Sequence, residues 1–150
     1  MTLTSRVGRL WLPCRPREGN FGTTNIAQRI YALGGDDLIN FLSTSEFFNV
    51  TENPWSTISS MPTARSWTAA ETFLGNIIVI GGNPDNLISS NTVEVLNPSN
   101  NTWSTITPLP EERDAHTVIA AGRKIYVISG GRYVNAQYVV EAGIMIGELP

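Results

Sequence analysis

One cysteine, Cys14, and one histidine, His116, stand in a chain of 150 residues. A single cysteine excludes a disulfide within the chain and any cysteine-only metal cage. Together the two residues cannot furnish the nitrogen and sulfur ligands that zinc or copper requires, so no metal and no cofactor is expected. Charge is sparse as well: 15% of residues are Asp, Glu, Lys or Arg, and the formal net charge is -3. Such a chain has no basic field for a nucleic-acid backbone or an anionic bilayer, and neither is expected as a partner. No apolar run approaches the ~18 residues that span a membrane. Phosphate loops, dinucleotide fingerprints and basic-aromatic stripes are missing too.

What the sequence does have is 13 glycines, 9 prolines and 41% hydrophobic residues, the balance of a turn-rich all-β protein. One apolar phrase is written three times: Ile30-Tyr31-Ala32-Leu33-Gly34-Gly35, Ile77-Ile78-Val79-Ile80-Gly81-Gly82 and Ile125-Tyr126-Val127-Ile128-Ser129-Gly130-Gly131. Four consecutive apolar residues, rich in β-branched and aromatic types, read as a strand buried on both faces rather than as an amphipathic helix. Taken at 34–35, 81–82 and 130–131, the glycine pairs recur 47 and 49 residues apart, which marks a structural repeat.

Other landmarks keep step with the phrase. A glutamate follows each glycine pair beside a β-forming residue, at Glu46, Glu94 and Glu141. Nine residues beyond the first two stand Trp55 and Trp103, then Met61-Pro62 and Leu109-Pro110, then Arg65 and Arg113, and twelve residues later the phrase returns. Turn clusters at Asn53-Pro54 and at 97–101 join the glutamate strand to the tryptophan strand. Gly75-Asn76 and Gly122-Arg123-Lys124 join an Ala/Thr-rich strand to the apolar phrase. Each period is therefore expected to hold four short antiparallel strands, with the small residues Ala69, Ala70, Ala120 and Ala121 where space is tight and the tryptophan strand outermost.

These landmarks resemble the kelch repeat, a unit with a glycine pair, a Glu-containing strand, a tryptophan and a Pro-x-x-Arg step. The resemblance implies a β-propeller fragment of about three four-stranded antiparallel blades, near 16–62, 63–110 and 111–150. Residues 1–15 are read as an N-terminal strand or the tail of a preceding repeat; the four arginines among residues 1–17 leave a targeting segment as the alternative. The third unit departs from the pattern. Glu141 lies 8 residues from Leu149, where Glu94 lies 15 from Leu109, so the hairpin turn and tryptophan are missing and Ile144-Met145-Ile146 forms an altered last strand. Closed propellers use ~4–8 blades, so the ring is not closed by this chain alone and self-association is one way to complete it.

No catalytic set emerges, and the chain is not expected to be an enzyme. A lone His116 gives no reason to choose a nucleophile, and its place is one where kelch repeats often carry histidine. The pairs Asp36-Asp37 and Glu111-Glu112 read as solvated loop acids. Buried glutamates need partners, and Arg65 and Arg113 recur in the rhythm that would supply them. The segments 36–44, 83–91 and 132–137 differ between repeats while their flanks stay regular, the mark of a scaffold with functional loops.

In kelch proteins these loops, with the one bearing the Pro-x-x-Arg step, commonly grip a protein or peptide. Carried over by position, that face comprises Asp36, Asp37, Asn40, Arg65, Trp67, Asn83, Asp85, Arg113, Arg132 and Tyr133. The leading expectation is a non-enzymatic protein-interaction module. A carbohydrate-directed role is the alternative, because some bacterial kelch propellers act on sialic acids and plant members steer glucosinolate breakdown; a truncated propeller without independent function is a third. A cytoplasmic setting is expected, and the sequons at Asn49 and Asn100 keep a secreted one open.

Overall fold

The computed structural model describes residues 19–52, 54–135, 137–140 and 144–148. Segment 1–15, Arg17 and Glu141 lie outside the described residues. Strands β1 (Gly22–Ile26), β2 (Arg29–Leu33), β3 (Ser45–Asn49) and β4 (Trp55–Thr57) form one antiparallel sheet in chain order. The next period repeats the arrangement with β5 (Ala69–Phe73), β6 (Asn76–Ile80), β7 (Val93–Asn97) and β8 (Thr102–Ile106). Short turns make these meanders. Between β5 and β6 stand Leu74 at φ 49 and Gly75 at φ 79, both left-handed, as a two-residue hairpin turn matched to strand twist requires.

Strand β6 shows why the apolar phrase is apolar throughout. Ile77 and Val79 face the first sheet and cluster with its Tyr31 and Leu33, with Met61 of the linking segment and with Leu96 of their own sheet. Ile78 and Ile80 face the other way, toward Val93, Val118, Ile125 and Val127. All four are almost completely buried, and each such side chain contributes about 1.5–3 kcal/mol relative to exposure. The first strands lie side by side along the inner edge: Thr72 Oγ1 sits 3.0 Å from Thr24 Oγ1 and donates to the Asn25 carbonyl at 2.8 Å. Space is indeed tight here, since a Cβ on Gly22 would come within 3.1 Å of the Ala70 methyl. On the outer side Trp103 Nε1 donates to the Ser59 carbonyl at 2.8 Å, tying β8 to the segment that links the first two sheets.

The third period corrects the sequence reading in three places. Its sheet contains β9 (Thr117–Ala121), β10 (Lys124–Ile128) and a strand at Ile144–Glu148, ordered with β10 central. Between them β11 (Gly131–Val134) and β12 (Gln137–Val140) form a separate two-stranded hairpin; Ile144–Glu148 is β13. Among the described residues this blade thus has three strands rather than four. Second, Glu46 pairs with Ala32 and Glu94 with Val79, but Met145 takes the matching place opposite Val127. The hairpin displaces the expected third strand, so the glutamate position is filled by Met145. Third, the residues with left-handed φ are Gly34 and Gly35, Gly81 and Gly82, then Ser129 and Gly130. The third member of the series is therefore Ser129-Gly130, and the second interval is 48 residues, not 49.

Candidate functional site

Each period sends a short segment across one end of the sheets, and each segment is pinned the same way. The residue after the expected arginine position forms an isolated antiparallel bridge with the residue after the left-handed pair: Gly19 with Asp36, Ser66 with Asn83, Asp114 with Gly131. The next residue in each segment has a positive φ: Asn20 at 55°, Trp67 at 52° and Ala115 at 49°. Backbone bonds join them in a row, Trp67 N–H donating to Asn20 O at 2.7 Å and Ala115 N–H to Trp67 O at 3.2 Å. Asparagine tolerates this conformation, whereas for a bulky aromatic it is an outlier. Such strain persists only where the surroundings impose it. Trp67 is nonetheless 48% exposed.

Around Trp67 the loops enclose a cleft of about 270 Å³. Five of the ten expected residues, Asp36, Asn40, Trp67, Asn83 and Tyr133, line it, drawn from all three periods. A neighbouring hollow of about 320 Å³ shares Trp67, Asn83 and Tyr133 and adds Asp114, Ala115 and Tyr138. The cleft is short of cationic groups: no lysine or arginine is among its described lining residues, and Asp36 supplies a carboxylate.

The other expected residues stand elsewhere. Arg65 is fully buried: its guanidinium donates to the carbonyls of Gly81 at 2.6 Å and Thr92 at 3.1 Å and to Glu94 Oε2 at 2.7 Å. Arg113 is 5% exposed and donates to the Ser129 carbonyl at 2.9 Å. Both arginines are thus removed from the ligand-facing set, because their donors close the ends of the neighbouring sheets. Asp37 and Asp85 are exposed or nearly so but serve their own loops. Asp37 Oδ1 accepts from the amides of Asn40 at 2.6 Å and Ile39 at 3.0 Å, which hold its carboxyl below the usual range. Asp85 Oδ1 accepts from Leu87 N–H at 2.8 Å. Arg132 lies on β11, outside the lining of the cleft.

Sequence reasoning missed Asn20, Ser66 and Asp114. A signal for Asn20 was available: Asn20, Trp67 and Ala115 each stand ten residues before an apolar phrase. Asp114 is 2% exposed and organises the hairpin, accepting from Ser89 Oγ at 2.7 Å and from the Tyr138 hydroxyl. Burial and this carboxylate together raise the Tyr138 pKa well above the usual phenol range. Tyr133 packs edge-on against Tyr138, with ring centroids 5.1 Å apart, and its amide donates to Ser89 Oγ at 3.2 Å. No group of three His, Cys, Asp or Glu side chains suited to a metal ion occurs among the described residues.

Successive four-stranded antiparallel sheets, packed face to face with their first strands on the inner edge, define a repeat protein of the propeller-blade class whose loops gather at one end. Residues 64–110, the segment that builds the second sheet, match the family model for the Kelch motif, which supports a kelch-repeat family. A comparison with curated proteins finds no match.

Proposed function

We propose that this chain is a non-enzymatic interaction scaffold that grips a protein or peptide partner on the face centred on Trp67. One observation carries the reading: a strained, half-exposed tryptophan stands at the meeting point of loops from three repeats, where the equivalent residues are Asn20 and Ala115. Large aromatics that combine exposure with a rigid setting are the usual anchors of interfaces. Peptides selected on the wild-type chain from a displayed library test it. Binding should be lost with Trp67→Asn and Tyr133→Ala and retained with Ser104→Ala on the outer strand β8. The reverse pattern would move the binding face to the outside of the blades.

The four asparagines of the cleft, Asn20, Asn40, Asn83 and Asn86, beside the three aromatic residues Phe41, Trp67 and Tyr133 favour a carbohydrate as the second reading. Binding on a glycan array that Trp67→Asn abolishes would support it. Self-association belongs to the leading reading: Ile30 and Ile119, 43% and 46% exposed, stand on the outward faces of the first and third sheets. Light scattering should report a dimer for the isolated chain, and a monodisperse monomer would remove this element.

A further inference from the structure

The floor of the cleft contains two polar atoms without partners. Ser66 is fully buried and Asn83 is 8% exposed; both line the cleft, and neither Ser66 Oγ nor Asn83 Oδ1 has a hydrogen bond. An unpaired buried acceptor costs free energy until something donates to it. The amide donors nearby are already engaged, Asn20 Nδ2 with Asp36 Oδ2 at 2.9 Å and Asn40 Nδ2 with the Asp37 carboxylate at 3.3 Å. The lining thus combines the Asp36 carboxylate, with no described cation beside it, the unpaired Asn83 Oδ1 and Ser66 Oγ, and the half-exposed Trp67.

We infer that the cleft receives the guanidinium of an arginine side chain presented by the partner, a use that rests on the partner-binding reading above. Guanidinium carries a positive charge, five donors and no acceptor, which matches the Asp36 carboxylate and the unpaired Asn83 Oδ1. It is planar and cationic, and it stacks on the face of tryptophan. An anionic side chain meets Asp36 and no described cation.

The test follows the Trp67 indole N–H resonance of the full chain by two-dimensional NMR during titration with N-acetyl-arginine amide. The neutral isostere N-acetyl-citrulline amide and methyl glucoside serve as comparisons. Arginine amide should shift the resonance, citrulline amide should bind more weakly by about tenfold, and Asp36→Asn should weaken arginine amide by a similar factor. The arginine–citrulline comparison uses the unaltered chain and stands even if Asp36→Asn fails to fold. Equal binding of citrulline amide, a response to methyl glucoside in place of arginine amide, or no response to any of the three would overturn the inference. If Trp67→Asn abolishes binding of selected peptides while arginine amide gives no shift, the binding face survives and the arginine assignment falls.

Discussion

Arg65 and Glu94 form an ion pair at 2.7 Å with side chains 0% and 1% exposed, across the junction between the first and second sheets. The Arg65 carbonyl accepts from Gly35 N–H at 2.8 Å in the first period while its guanidinium closes the strand ends of the second. Desolvation pulls the Arg65 pKa down and the Glu94 charge opposes that fall. Glu94→Gln keeps an acceptor for Thr63 Oγ1, which donates to Oε1 at 2.7 Å, but leaves the guanidinium uncompensated. The expected loss is about 3–5 kcal/mol in urea unfolding. Glu111→Gln, at the half-exposed 3.5 Å pair with Arg113, should cost less than about 1 kcal/mol. Similar costs for the two variants would contradict this account.

The third period also sets a loop carboxylate beside its arginine. Thr63 and Glu111 both stand two residues before the arginine. Thr63 donates to the Glu94 carboxylate that Arg65 also meets, whereas Glu111 Oε2 itself accepts from Arg113 at 3.5 Å.

Ser129 occupies a left-handed position, φ 60, that glycine fills at Gly34 and Gly81. Ser129→Gly should raise stability, by about 0.5–1 kcal/mol once the extra freedom of the unfolded chain is set against the relieved strain. Gly82→Ala should act in the opposite direction, because its Cβ would lie 2.5 Å from the Ser66 carbonyl at φ 93. Thermal unfolding of the two variants decides the matter; a lower melting temperature for Ser129→Gly would show that the strain is not there.

Trp67→Asn places at the second period the residue the first already carries at Asn20. Removing an outlier φ should leave stability unchanged or higher by up to ~1 kcal/mol. Capture of selected peptides should be lost at the same time. A destabilised Trp67→Asn chain would mark the ring as part of the packing instead.

His116 gives a pH dependence with a definite sign. Burial, then the charge of Arg113, depress its pKa from 6.5 to about 4. Above pH 6.5 the imidazole is neutral in both folded and unfolded chains, and its burial carries no protonation penalty. Between pH 6.5 and 4 the unfolded chain binds the proton more readily, so stability falls with pH through that window and the decline stops below the folded pKa. The full span is on the order of 3 kcal/mol. Because it is the only histidine, its ring proton resonances titrate without ambiguity. A midpoint near 6.5 in the folded chain would refute the shift.

The two inter-sheet cores were legible because period-2 alternation is invisible in a strand buried on both sides, and the run of Ile77 to Ile80 announces that burial directly. The pairing of Arg65 with a strand glutamate was also legible, from shared rhythm. The third period misled for a local reason. Gly130-Gly131 looks like the repeating pair, yet Gly131 begins β11 and is small for the sake of Tyr138, whose ring would lie 2.5 Å from a Cβ there. The stretch around Asn135, at φ 51, carries its own turn and reads as well for a private hairpin as for a third strand. Asp36 and Tyr133 were named from the variable segments and Trp67 from the loop bearing the Pro-x-x-Arg step, and all three line the cleft. Ser66 and Asp114 stayed hidden because a serine or aspartate beside a conspicuous arginine has no pattern of its own; only the bridge geometry gives those positions their role.

The row of backbone bonds through Asn20, Trp67 and Ala115 has a corollary. Each repeat presents one side chain to the mouth from a residue whose backbone is held by its neighbours' main chains rather than by its own packing. That makes the mouth a short alphabet, one letter per repeat, here Asn, Trp and Ala. Letters can be exchanged without redrawing any sheet, provided the new residue accepts a left-handed backbone. A change of side chain at the mouth would therefore leave the blades as they are, and Trp67 is the letter at which a bulky ring has taken the left-handed backbone.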